Sequence, residues 1–190
     1  MRFSGEEWRE LGISALVIGF SFAWVERGTG PFYHLGFPLV LGMMLVAVGS
    51  AFILHELAHK FVAQGYGCWA EYRMWETGLI VAFFLAVALG MVFAAPGAVY
   101  ISDGHLSRRE NGLISAAGPL TNLGLGVLFL GLGTLGGIYA ILGSVGLFVN
   151  AWLALFNMIP FGPLDGSKVL GWSPLAWAAM VLTALALLTL

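Results

Sequence analysis

Hydrophobic positions along this chain come in blocks rather than in alternation. Apolar runs cover 10–25, 38–63, 112–132, 138–159 and 172–190, and each predicts a membrane span by its length and lack of charge. A sixth apolar stretch, 79–101, is interrupted by Gly90, Pro96 and Gly97. That pattern suits a segment that enters the bilayer and returns better than one clean helix. The first run has the length of a secretory signal core, but Glu6, Glu7 and Glu10 precede it and no small-residue cleavage pattern follows. It reads as a retained span with Trp8 and Trp24 as interface anchors. No repeat and no long polar insertion divides the chain, so 1–190 reads as a single domain. The expected fold class is an all-α polytopic membrane protein, with about five transmembrane helices plus a re-entrant or β-like segment at 79–101.

Composition agrees with this pattern. Of 190 residues, 59% are hydrophobic and 9% are charged, against about 25% charged in an ordinary soluble domain. Mean hydropathy is +0.92. The partner implied throughout is membrane lipid. A net charge of −2 without a basic stripe offers nothing to nucleic acid, and no nucleic-acid partner is expected. Cys68 is the single cysteine, so an internal disulfide is excluded. It reads as a buried or interfacial thiol, with palmitoylation as the alternative.

Polar groups inside apolar spans are expensive and mark function. They fall in three places: His55, Glu56 and His59 in "HELAH"; Asn122 in "AAGPLTN"; and Asn150, Asn157 and Asp165 in "NAWLALFNMIPFGPLDG". "HELAH" is H-E-x-x-H. Helix positions four apart share a face, so His55 and His59 can bind one zinc ion, and Glu56 can reach a water there as general base. The competing reading is two histidines hydrogen-bonded to neighbouring helices, and the cost of burying three ionisable groups in lipid weighs against it. Two His ligands require a third protein ligand. Asp165 follows a long apolar helix between Pro163 and Gly166, which break the helix and free a carboxylate to turn inward. The alternative is an Asp that caps the next helix. Asn150 lies seven residues before Asn157, on nearly the same face; it either lines a water path or bonds between helices. Asn122 shares a Gly-rich face with Gly118 and Gly126, which suits close helix approach. His34 and His105 read as solvated.

Charge distribution tests the topology. His59 and Asp165 must lie at one membrane depth to share a metal. If 79–101 crossed the bilayer once, three crossings would separate them and the site could not form. If it dips and returns, two crossings separate them. The re-entrant arrangement also puts Arg2, Arg9, Lys60, Arg73, Arg108, Arg109 and Lys168 on the cytoplasmic side and only Arg27 outside. Five crossings of a cell membrane are therefore expected, with the N-terminus in and the C-terminus out. The metal should sit near the cytoplasmic side, about 9 Å from the helix end at 1.5 Å per residue.

"HELAH", "AGPLTN" and "NMIPFGPLDG", in that order, resemble the three signature motifs of the site-2 protease family, the intramembrane zinc metalloproteases. The resemblance covers about residues 38–170. It implies one Zn2+ held by His55, His59 and Asp165, Glu56 as catalytic acid/base, and a catalytic contact from Asn157 to substrate or transition state. It also implies a compact form without PDZ or CBS domain, acting on a single-span, regulatory membrane protein. Two departures stand out. Gly166, Ser167 and Lys168 occupy a place where the family often has Gly-Gly-Arg, and 79–101 is longer and more apolar than in simple members. On this reading Glu56 takes a proton from water attacking a peptide carbonyl, and Asn157 donates to the oxyanion. "FAAPGAVYI", 93–101, is expected to offer a strand edge to an unwound substrate. The alternative function is a non-proteolytic metal-binding membrane protein, either a carrier or an inactive adaptor. Oligomeric state is left open.

Overall fold

The computed structural model describes residues 2–92, 96–102 and 106–190. His105 and the 93–95 part of the expected edge segment lie outside the described residues. The elements run α1 (Gly5–Glu26), α2 (Phe37–Gly65), β1 (Trp69–Met74), α3 (Glu76–Leu89), β2 (Gly97–Ser102), α4 (Arg108–Gly133), α5 (Ile138–Asn157), α6 (Asp165–Trp172) and α7 (Pro174–Leu188). The chain is an all-α polytopic membrane protein with one small sheet. Among the described residues α1, α2, α4 and α5 are long and apolar enough to cross a membrane.

The expected fifth span, 172–190, is shorter than the pattern suggested. Ser173 accepts the Ala176 N–H at 3.2 Å and Pro174 takes the first turn, so α7 starts there and has 15 residues. That is about 22 Å of helix, short of a hydrocarbon core of about 30 Å. Trp172 belongs to α6 instead.

Segment 79–101 returns to where it starts. β1 and β2 pair antiparallel, with Trp69 opposite Ser102, Tyr72 opposite Val99 and Met74 opposite Gly97. Trp75 N–H donates to Pro96 O at 2.8 Å, so α3 leaves and the chain re-enters at one point. A single crossing is incompatible with that closure. Gly97 makes the return possible: its φ is +142°, and a Cβ there would stand 2.6 Å from the Tyr72 Oη and 2.7 Å from the Met74 Cα.

The outer edge of β1 is closed by α1. Tyr72 N–H donates to Glu7 Oε1 at 3.0 Å, and Met74 N–H to Glu10 Oε2 at 2.9 Å. Glu7 also pairs with Lys60, and both are buried. The polar N-terminal flank therefore supplies structural acids, and Lys60 is an internal cation rather than a surface charge. Burial pushes the Tyr72 phenol up, so it remains a donor; its hydroxyl meets Ser14 Oγ and Pro96 O, each at 2.9 Å.

Two apolar clusters hold the helices. Leu11, Ile18, Met44, Phe52 and Tyr72 join α1, α2 and the sheet. Leu123, Leu147, Met158, Val169 and Ala184 join α4 to α7. His55 and His59 on α2 face Asn122 and Ile114 on α4, and Asn150 of α5 and Asp165 of α6 close on the same place.

Candidate metal centre

His55 and His59 lie one turn apart on α2, both buried, with Nε2 atoms 3.0 Å apart. Asp165 opens α6. Its Oδ2 is 3.5 Å from His55 Nε2 and 3.2 Å from His59 Nε2. Two ligands of a tetrahedral zinc at about 2.0–2.1 Å are separated by about 3.3 Å. The three donor atoms thus have the mutual spacing that one zinc ion requires, and together they form a group able to hold a metal. Asp165 is not a helix cap: Leu164 holds the N-cap position, and the carboxylate turns to the histidines.

The proton positions support the same conclusion. His59 Nδ1 faces Ile114 O at 2.8 Å, and a carbonyl only accepts, so that nitrogen carries hydrogen. His55 Nδ1 faces Asn122 Oδ1 at 2.5 Å. The amide of Asn122 is oriented by its other end, because Nδ2 donates to Ala51 O at 3.0 Å and to Asn150 Oδ1 at 2.9 Å. Asn150 is oriented in turn by donating Nδ2 to Gly146 O at 2.9 Å. With both Nδ1 atoms protonated, both Nε2 lone pairs converge on the Asp165 carboxylate. Two imidazole nitrogens and a carboxylate oxygen form a zinc-type donor set with a coordination position left over for water.

Local sequence explains how the site is assembled. Pro119 inside α4 cannot donate to Ser115 O, and the adjacent turn is where Ile114 O receives His59. Gly118 gives the histidines room: a Cβ there would stand 2.6 Å from His55 Nε2. Before α6, the Met158 carbonyl accepts the Trp177 Nε1–H at 2.7 Å, which ties the Asp165 turn to α7.

The Asn122–Asn150 relay was only partly legible beforehand. Asn150 is fully buried, and its Oδ1 accepts from Asn122 on the neighbouring helix, the interhelical bond that is one of its two readings. Asn122 orients a ligand as well as allowing close approach. Glu56 is buried on α2, and its Oε2 accepts the Val99 N–H from β2 at 2.9 Å. Sequence spacing could not show that contact, because it joins residues 43 apart. Asn157 is half-buried, and its Nδ2 donates to Leu153 O at 3.0 Å within its own helix. Among the described residues no hydrogen bond joins Asn157 to the histidines or Asp165.

Comparison with known proteins gives the arrangement its context. The chain is 45% identical over 180 residues to "Putative zinc metalloprotease MJ0611" of Methanocaldococcus jannaschii, covering 93% of this chain and 90% of that protein. It is 34% identical over 168 residues to "Putative zinc metalloprotease Rip3" of Mycobacterium tuberculosis, covering 82% of this chain and 38% of that longer protein. It is 30% identical over 182 residues to "Putative zinc metalloprotease Rip2" of Mycolicibacterium smegmatis, covering 82% of this chain and 66% of that protein. No family model matches the chain, and no solved structure does. With a three-residue zinc site between apolar helices and a near full-length relative of this kind, the chain belongs to the site-2 protease family of membrane zinc metalloproteases.

Proposed function

We propose that this chain is an intramembrane endopeptidase that cuts the membrane-spanning segment of a single-span, membrane-anchored regulatory protein. The observation that carries the reading is the convergence of His55, His59 and Asp165 with Glu56 on the same helix. The three ligands would hold zinc, which supplies Lewis acidity that makes water nucleophilic near neutral pH. Glu56 takes the proton from the attacking water and later gives one to the leaving amine. Asn157 donates its amide to the oxyanion as the carbonyl becomes tetrahedral. Asn122 and Ile114 O hold the two imidazoles in the tautomer that keeps Nε2 free for metal.

Helical substrates hide their amides in their own hydrogen bonds. An unwound segment gains new partners by adding to the outer edge of β2. We place the site near the cytoplasmic face of a cell membrane, because the re-entrant path leaves Arg2, Arg9, Arg73, Arg108, Arg109 and Lys168 on that side.

The test is cleavage of a panel of single-span proteins in liposomes by wild type and Glu56→Gln, with zinc quantified in both. Zinc in both and cutting by wild type alone is the expected result. Equal cutting by the two would remove Glu56 from its assigned role. Zinc in both with no cutting of any panel member moves the chain toward a metal-binding role without proteolysis.

A further inference from the structure

Glu56 is engaged before any substrate arrives. Backbone groups alternate sides along a strand, and the two members of a non-hydrogen-bonded antiparallel pair both point outward. Tyr72 and Met74 turn their N–H groups out of the sheet toward Glu7 and Glu10. Their partners Val99 and Gly97 therefore turn outward on the opposite edge. The Val99 N–H does so and ends on Glu56 Oε2. Ile101, opposite Ala70, is the next outward residue, and among the described residues nothing meets its N–H. The α1 carboxylates already close the β1 edge. An extended segment can add to this sheet only along β2, and a donor it needs there is the one Glu56 occupies.

We infer that Val99 latches Glu56, and that an extended substrate segment docking on the β2 edge takes the Val99 N–H and releases the carboxylate to act as base. The inference rests on the endopeptidase reading and deepens it by making base release a consequence of substrate recognition. A carbonyl oxygen of the docked segment replaces Oε2 as acceptor, so the N–H stays paired throughout. Glu56 then has both oxygens available for a water beside the ligand set. A water approaching without a docked segment meets a carboxylate whose Oε2 is held toward β2 by the Val99 N–H, which restrains hydrolysis of anything too short to form the strand.

Two changes remove the latch while keeping every N–H donor of the β1–β2 ladder, since the Val99 N–H lies on its outer side. One is Val99→Pro. The other replaces the 98–99 peptide bond by an ester, which deletes the same N–H and keeps the valine side chain. The ester also weakens the Ala98 carbonyl as the acceptor opposite Arg73, which the proline variant does not. Each is compared with wild type, zinc-loaded and reconstituted as the full chain, on two substrates. One is a single-span protein cut by wild type in a Glu56-dependent way. The other is a blocked minimal peptide carrying only the scissile bond and its immediate neighbours. A hydrogen bond to a charged group sets the scale at about tenfold. Both variants are expected to cut the minimal peptide about tenfold faster than wild type, and the single-span protein about tenfold more slowly in kcat/KM, with zinc content unchanged. If the minimal peptide is cut no faster by either variant while wild type still cuts the single-span protein, the latch is overturned and the protease reading stands. If both substrates slow together in the ester variant, Val99 only positions Glu56, and the latch is again overturned. If wild type cuts neither substrate in a Glu56-dependent way, the protease reading itself has failed, and the latch falls with it.

Discussion

Helix α2 carries two buried polar clusters one residue apart, and they are opposites. On one side, His55 and His59 meet Asp165; on the other, Lys60 meets Glu7. In the second cluster every acceptor faces a donor. Glu7 takes Lys60 on one oxygen and the Tyr72 N–H on the other. Glu10 takes the Met74 N–H and lies 3.6 Å from Arg73. In the first cluster the donors are spent outward, on Ile114 O and Asn122 Oδ1, and the acceptors face each other. A closed cluster holds a fold together, whereas a convergent set of acceptors calls for a cation. Both join acidic to basic side chains against α2, and what sets them apart is the geometry of lone pairs and protons.

The sharpest way to break the contrast is to delete a convergent acceptor. His59→Ala should strip zinc from the purified protein and take cleavage below detection, while leaving the α1–β1 clamp and the fold in place. Metal analysis with a melting curve checks both halves. Full zinc occupancy in that variant would mean the convergence is not a metal site.

The closed cluster should respond in the other sense. Glu7→Gln keeps an acceptor for the Tyr72 N–H but leaves the Lys60 ammonium buried without a counter-charge. Breaking such a pair costs about 3–5 kcal/mol, or roughly 10 °C in melting temperature for a chain of this size. Zinc per folded molecule should be unchanged. Adding Lys60→Met to Glu7→Gln should recover most of the loss, since a neutral pair carries no uncompensated charge. A variant that keeps its melting temperature but loses zinc would join the two clusters into one.

This contrast also divides what could be read from the chain. The H-E-x-x-H spacing and the Pro-Leu-Asp-Gly turn put the ligands in view because metal geometry follows from helical periodicity and a helix break. The return of 79–101 was legible from Gly90, Pro96 and Gly97 together with the requirement that His59 and Asp165 share a depth. Glu7 and Glu10 were not legible. Three acids before an apolar run look like a solvated flank, and their partners are backbone N–H groups of β1, which carry no sequence signal. The same limit hid the Val99 contact to Glu56. Asn122 and Asn150 lay between these extremes: their burial in apolar helices showed that they mattered, but their order in a relay depends on which amide end faces which neighbour.

That relay supplies the smallest expected effect and the finest test. Ligand-orienting partners are typically worth about 10–100-fold in metal affinity. Asn122→Ala removes the acceptor of His55 Nδ1 directly and should weaken zinc by that much in chelator competition, with cleavage recovered at high zinc. Asn150→Ala touches no ligand; it removes one of the two acceptors that orient Asn122, so a few-fold weakening is expected. The two residues act in series. Once Asn122 is gone, Asn150 has no amide left to orient, and adding Asn150→Ala to Asn122→Ala should cost nothing further in zinc affinity. Additive losses would show that Asn150 acts on the site by packing between α4 and α5 instead, and the orientation of His55 would then rest on Asn122 and the Ala51 carbonyl alone.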